Sequence, residues 1–224
     1  MKLLRAAVFL DRDGVLIEDR GLLVDPAGIH ILPGVPAALR KLKEAGFFLA
    51  VVSNQAVVAR GLISPRDLDA LNSRIRGLLQ AAGAPPLDAA YFCPHHPEAA
   101  LPQYRVVCDC RKPRPGSLLR AAREHGLDLA ASFMVGDRMT DVAAGAAAGC
   151  RTVLVQTGQH DAPPIFTALT PGAGTMRSTV AGTSPGGREE DFAAAAKPQA
   201  AVAASPNHIC ADLPAAADWI LGER

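Results

Sequence analysis

Arg5-Ala6-Ala7-Val8-Phe9-Leu10-Asp11-Arg12-Asp13-Gly14-Val15 is the stretch from which the rest of the chain can be read. A short apolar run followed at once by two carboxylates two residues apart predicts a buried strand ending in an acidic loop. In an open parallel sheet, ligands bind outside the carboxyl ends of the strands. An Asp-x-Asp pair there can supply a nucleophile, an acid/base and a metal ligand from one loop. Gly14 allows the bend.

The same arrangement recurs downstream. Runs apolar on both faces, as buried parallel strands are, predict strands at Arg5–Leu10, Phe48–Val52, Ala89–Cys93, Ser132–Val135 and Thr152–Val155. Helical periodicity is expected at Val35–Ala45, Pro65–Ala82, Gly116–His125 and Met139–Ala148. Gly46, Gly83, Gly126 and Gly149 fall just past these helices, where a left-handed cap residue belongs. Strands alternating with helices predict an α/β fold: a three-layer, doubly wound parallel sheet. From 162 to 206 the chain is rich in Ala, Gly, Pro, Ser and Thr with no sustained period, which predicts a flexible insertion; 191–196 can form a helical turn within it. Asn207–Cys210 then reads as an edge strand and Leu213–Leu221 as a helix with Leu213, Ala217, Ile220 and Leu221 on one face. The expectation is one domain over residues 1–224.

Composition narrows the function. With 23 Lys+Arg against 22 Asp+Glu the net charge is +1, which gives no footprint for nucleic acid. No apolar run reaches the roughly 18 residues of a membrane span, and the N-terminus lacks a signal-peptide pattern. A cytoplasmic protein acting on a small molecule, without nucleic-acid or membrane partners and as a monomer, is expected.

Three further motifs stand at strand ends. Ser53-Asn54-Gln55 can hold a phosphate oxygen through a hydroxyl and backbone N–H groups. Arg111-Lys112-Pro113 brings two cations suited to a phosphoryl group. Gly136-Asp137-Arg138-Met139-Thr140-Asp141 offers Asp137 as an oxygen ligand for a hard cation already approached by Asp11, a set that suits Mg²⁺. Asp141 is either part of this acidic cluster or a helix N-terminal residue that orients Lys112. Between the second and third motifs lies Cys93-Pro94-His95-His96, then Cys108-Asp109-Cys110. Three thiolates and one imidazole at this spacing predict a closed, structural Zn²⁺ site; either histidine can be the fourth ligand, and His95 is preferred. Cys150 and Cys210 are expected in the core.

Together, Asp11-x-Asp13-Gly14, Ser53, Lys112 and Gly136-Asp137-x-x-x-Asp141 resemble the four motifs of the haloacid-dehalogenase superfamily of phosphohydrolases, over about residues 8–157 and again at 207–221. The resemblance implies a Rossmann-like fold in which Asp11 is the nucleophile and Asp13 the acid/base. It implies that Ser53 and Lys112 stabilise the phosphoryl group, and that Mg²⁺ is held by the Asp11 carboxylate, the Asp13 backbone carbonyl and Asp137. A minimal cap with a zinc loop ending Cys110-Arg111-Lys112-Pro113, and Asn54-Gln55-x-x-x-Ala59-Arg60-Gly61, resembles the heptose-bisphosphate phosphatase branch. That branch implies removal of the 7-phosphate of D-glycero-D-manno-heptose 1,7-bisphosphate, in heptose (lipopolysaccharide) biosynthesis. Asp19, Arg20, Gly21, Leu22, Asn54, Gln55, Arg60, Arg111 and Arg138 are then the expected substrate contacts. The chain departs from the branch at Ala56-Val57-Val58, where Ser-Gly-Ile is usual, and at Leu22, where an aromatic residue is usual. Histidinol phosphate is the alternative substrate. A non-catalytic zinc module and a nucleic-acid end-processing phosphatase are the remaining alternatives; intact acidic motifs and near-neutral charge weigh against them.

Overall fold

In a computed structural model, residues 4–158 and 204–223 are described. The chain runs β1 (Arg5–Leu10), α1 (Val35–Glu44), β2 (Phe48–Asn54), α2 (Pro65–Ala81), β3 (Ala89–Cys93), α3 (Gly116–His125), β4 (Leu127–Gly136), α4 (Met139–Ala148), β5 (Arg151–Val155), β6 (His208–Cys210) and α5 (Leu213–Gly222). Two 3-10 turns, Pro26–Gly28 and Pro102–Tyr104, fall in loops that carried no periodic signal.

The sheet order is β3-β2-β1-β4-β5-β6, with every pairing parallel. The chain winds outward from β1 to β3, then returns to place β4 on the other side of β1. The order therefore reverses between β1 and β4, and the crevice beyond their carboxyl ends is where such sheets bind ligands.

Alternate side chains of one strand reach opposite layers. Val8 and Leu10 join Leu39, Leu42, Ile75, Leu79, Ala217 and Ile220, so α1, α2 and α5 cover one face. Ala7 and Phe9 join Leu118, Ala121, Ala144 and Ala148, so α3 and α4 cover the other. These are the three layers expected.

Local chemistry sets the helix ends. Ser64 and Asp67 form a reciprocal capping box on α2, with Pro65 in its first turn. Asp212 caps α5 by accepting from the Ala215 N–H at 2.9 Å. The four glycines expected past helix ends all have positive φ, from 65 to 89°.

Most element ends fall within two residues of expectation; the start of β4 and the buried face of α5 differ. β4 begins at Leu127 rather than Ser132, because Arg5 and Ala6 pair with Leu127 and Asp128 before the register shifts. The Asp128 carboxylate accepts the Ala130 N–H and the Ser132 hydroxyl takes the Ala7 N–H, so side chains replace ladder bonds across the irregularity. On α5 the fully buried set is Leu213, Ala216, Ala217 and Ile220; Leu221 is only partly buried. β6 and α5 complete the same sheet and the same core after the expected insertion. That insertion lies outside the described residues from 162 to 203, as does the turn expected at 191–196. Among the described residues no helix is long and apolar enough to cross a membrane.

Candidate active site

Four strand-end segments meet at the carboxyl edge of the sheet. Asp11 continues β1, its N–H donating to Val135 O at 3.0 Å; Ser53 closes β2; Asp137 follows β4. Lys112 enters from the loop before α3, and its Nζ lies 3.1 Å from Asp11 Oδ1 and 2.5 Å from Asp141 Oδ1. The same Nζ donates to Val52 O at 2.7 Å. Burial alone depresses a lysine, yet Asp11 and Asp141 lift Lys112 above its ordinary value, so it stays charged. Asp141 shows both features expected of it, touching Lys112 and joining the acidic cluster. Asp141 also accepts the Arg138 N–H at 3.1 Å, capping α4.

Asp11, Asp137 and Asp141 bring carboxylate oxygens within 4.8 Å of one another, all buried. Two of the three, Asp11 and Asp141, pair with Lys112; Asp137 does not. Neither oxygen of Asp137 has a hydrogen-bond partner among the described residues. Arg138 Nε stands 3.8 Å from Oδ2, too far to satisfy it. Backbone crowds this carboxylate: a Cβ built on Gly14, where φ is 73°, meets Asp137 Oδ2 at 2.6 Å. Burial, then Asp11 and Asp141, push Asp137 up to about 8. Buried carboxylates are normally paired or coordinated, and a hard divalent cation between Asp11 and Asp137 would supply such a partner. The donor set fits Mg²⁺.

A pH dependence follows. With a folded pKa of about 8 against an ordinary 3.8, the metal-free fold binds more protons at Asp137 than the unfolded chain does. Its stability therefore falls as pH rises through that window. A cation takes the proton's place, so magnesium is expected to raise Tm more at about pH 8 than at about pH 5. Thermal unfolding with and without Mg²⁺ at both values checks this; an equal shift at both contradicts the assignment.

Asp13 turns away from this cluster. Arg12, 2% exposed, grips it with Nε and Nη2 at 2.9–3.2 Å, while Gln55 Nε2 donates to its Oδ2 at 2.9 Å. Burial raises the Asp13 carboxyl and Arg12 opposes it; the net shift is upward, which favours a group that gives up a proton. Gln55 also donates to Ser53 Oγ at 2.9 Å. Asn54 donates to Lys112 O and accepts the Lys112 N–H, both at 3.0 Å. Asn54 and Gln55, expected toward substrate, thus give their amides to Lys112, Asp13 and Ser53. Sequence reading passed over Arg12 and Asn72. The available signal was Asn72 itself, a buried polar residue among Leu68, Leu71, Ile75 and Leu79 on α2.

The other residues expected to contact substrate are held to different degrees. Asp19 is held by Arg138 at 2.9 Å, its own side chain 3% exposed, and so ties the β1–α1 loop to the β4–α4 loop. Arg20 pairs with Glu18 at the surface. Gly21, with φ 81°, donates to Asp19 Oδ1. Leu22 and Arg60 are exposed. Arg111 is half-buried and donates to His95 O at 3.0 Å, which fixes it to the cysteine loop.

That loop forms the second cluster. Cys93, His95, Cys108 and Cys110 present their ligand atoms within 4.8 Å. Their sulfurs stand 3.2–3.5 Å apart, with His95 Nδ1 at 3.5–3.7 Å from two of them. Ligands at Zn–S distances of about 2.3 Å span a tetrahedron with edges near 3.8 Å, and disulfide sulfurs would stand about 2.05 Å apart. Burial drives the Cys93 thiol upward, so several thiolates together there would need a cation. The arrangement resolves the histidine choice: His95 is in the cluster and His96 is not. Cys150 is buried; Cys210 is partly buried against the core.

Comparison with known proteins bears on all of this. A family model for HAD-hydrolase-like proteins matches residues 109–174. The D-glycero-beta-D-manno-heptose-1,7-bisphosphate 7-phosphatase of Escherichia coli K12 is 43% identical over 158 residues, covering 70% of this chain and 82% of that protein. A D-glycero-D-manno-heptose-1,7-bisphosphate 7-phosphatase from Thermosynechococcus vestitus is 44% identical over 163 residues, covering 70% and 82%. Among solved structures, a D,D-heptose 1,7-bisphosphate phosphatase from B. bronchiseptica, complexed with magnesium and phosphate, matches with TM-score 0.68 and 30% identity over 98% of this chain and 99% of that one.

Proposed function

Since this chain belongs to the haloacid-dehalogenase-like hydrolases, and among them to the family of heptose-1,7-bisphosphate 7-phosphatases, we propose that it is a phosphoric monoester hydrolase that removes the 7-phosphate of D-glycero-D-manno-heptose 1,7-bisphosphate. The observation that carries the reading is the joint placement of Asp11, Lys112 and the unpartnered Asp137 at the switch point of the sheet.

The residues divide the work. Asp11 attacks phosphorus, forming a carboxylate O–P bond as the bond from phosphorus to the sugar oxygen breaks. Asp13 gives its proton to the departing alkoxide. Asp13 then takes a proton from water, whose oxygen attacks phosphorus and releases Asp11 and inorganic phosphate. Lys112, held by Asp11 and Asp141, and Ser53, held by Gln55, present charge and a hydroxyl to the phosphoryl oxygens. Asp11 and Asp137, with the Asp13 carbonyl, would hold Mg²⁺, which would supply further positive charge to those oxygens. Arg111, Arg60 and Arg138, with Asp19–Leu22, form the cationic and polar approach for the sugar and its distal phosphate. Zn²⁺ on Cys93, His95, Cys108 and Cys110 fixes the loop that carries Arg111. A site needing three reduced thiols fits a reducing compartment, the cytoplasm. Every group named comes from one chain, so a monomer suffices, and no nucleic acid or membrane enters the reaction.

Phosphate release from both anomers of the heptose bisphosphate, compared with histidinol phosphate, tests the assignment. Higher kcat/KM on the heptose bisphosphate, by at least about tenfold, is expected. A preference for histidinol phosphate would instead support the alternative, in which the exposed Leu22, where the family usually has an aromatic residue, has changed the sugar face.

A further inference from the structure

Asn72 lies on the inward stripe of α2, 5% exposed, and its Oδ1 accepts from Arg12 Nη1 at 2.9 Å. Its Nδ2 has no hydrogen-bond partner among the described residues. Leaving a buried amide half-satisfied is unfavourable, and an apolar side chain would complete the stripe of Leu68, Leu71, Ile75 and Leu79 without that penalty. Packing therefore does not account for an asparagine here.

Its contact does. Arg12 uses Nε and Nη2 to grip its neighbour Asp13. A grip between adjacent residues can rotate as a unit; the hydrogen bond from Nη1 to Asn72, 60 residues away, ties it to a rigid helix. On the other side, Gln55 fixes Asp13 Oδ2 to Ser53. We propose that Asn72 is a positioning residue for the reaction: through Arg12 it sets the direction from which the Asp13 carboxyl meets the leaving oxygen. The inference rests on the reading of Asp13 as the acid. Proton transfer tolerates little misplacement of its donor, so loosening the anchor affects the step that needs the proton and spares the steps that do not.

That selectivity gives the test. For an alkyl ester such as the heptose bisphosphate, breaking the bond to oxygen needs a proton. The phenolate of p-nitrophenyl phosphate leaves without one, and kcat/KM reports events only through the first irreversible step. Asn72→Leu is expected to lower kcat/KM on the alkyl ester about tenfold while changing the aryl ester less than about twofold. Asn72→Asp, which keeps an acceptor for Arg12, is expected to restore the alkyl value. Equal losses on the two esters, or no loss on either, overturn the proposal. Asn72 and Arg12 border a narrow crevice between α2 and the sheet. If Asn72→Leu does not fold, Asn72→Ala, which leaves that crevice to water, is read by the same criteria. Asp13→Ala, measured on both esters, separates the two levels. If it too shows no selective loss, the acid role of Asp13 fails and this inference with it. If it shows selective loss and the Asn72 variants do not, the positioning role alone fails.

Discussion

Asp11→Asn is expected to abolish turnover, by at least about a thousandfold in kcat, while leaving the fold intact. An amide oxygen is a poor nucleophile, and no other carboxylate stands where Asp11 does; Asp137 and Asp141 are buried behind it and Asp13 is gripped by Arg12. The stability effect carries independent information. Burial first, and then repulsion from Asp11, raise both Asp137 and Asp141, so removing the Asp11 charge relieves a buried cluster of three carboxylates of which Lys112 pairs only two. The metal-free variant is expected to melt at or above the wild-type temperature, and to lose most of the Mg²⁺-dependent rise in Tm, because the cation has lost one of its two carboxylates. Phosphate release and thermal unfolding with and without Mg²⁺ measure both. Retained turnover would remove Asp11 as the nucleophile, and a fall in metal-free Tm would contradict the electrostatic account of the cluster. Such an exchange of stability for activity is common where a site concentrates like charge.

Cys110→Ser is the second large effect. Its sulfur lies within 3.2 Å of both Cys93 and Cys108 and within 3.5 Å of His95 Nδ1. Replacing it removes one of four ligands from a closed site whose metal contributes directly to folding. Metal analysis is expected to fall from about one zinc per chain to well below half, with a lower Tm. Activity is expected to fall as well, because Lys112 is only two residues further on and Arg111 is tied to His95 O. The Asn54 side chain holds the Lys112 backbone from the β2 side. This anchor predicts partial retention of activity, not total loss. A zinc-free variant with unchanged stability and turnover would sink the structural role of the metal.

These two predictions concern residues legible in the sequence, and the reason is physical. A nucleophilic acid at a strand tip, a third acid at another tip, and cysteines at ligand spacing are constraints written along short stretches of chain. Strand and helix ranges were legible for the same reason: runs apolar on both faces mark buried parallel strands, and glycines past helix ends mark their stops. Where local pairing was irregular the reading fell short. The early start of β4 depends on Arg5 and Ala6 meeting Leu127 and Asp128, and the 3-10 turns leave no periodic trace.

The partners of side chains were the less legible part. Arg12 carried no expectation, yet it is buried and holds Asp13. Asn54 and Gln55 looked like ligand groups, yet they satisfy Lys112, Asp13 and Ser53. Arg138 looked free for substrate, yet it holds Asp19 across two loops. The contacts that local spacing does not reveal are the long-range ones, Arg12 to Asn72, Gln55 to Asp13, Asn54 to Lys112 and Arg138 to Asp19, where polar groups find their partners in space. By itself the sequence determined the α/β alternation, the acids at the strand tips and the cysteine–histidine set, because each is local spacing. The tertiary structure alone decided that His95 and not His96 joins the cysteines, that the Asp137 carboxylate has no hydrogen-bond donor among the described residues, and that Asn72 reaches Arg12. Those facts arise only when strands and helices distant in sequence close around a common, dry site.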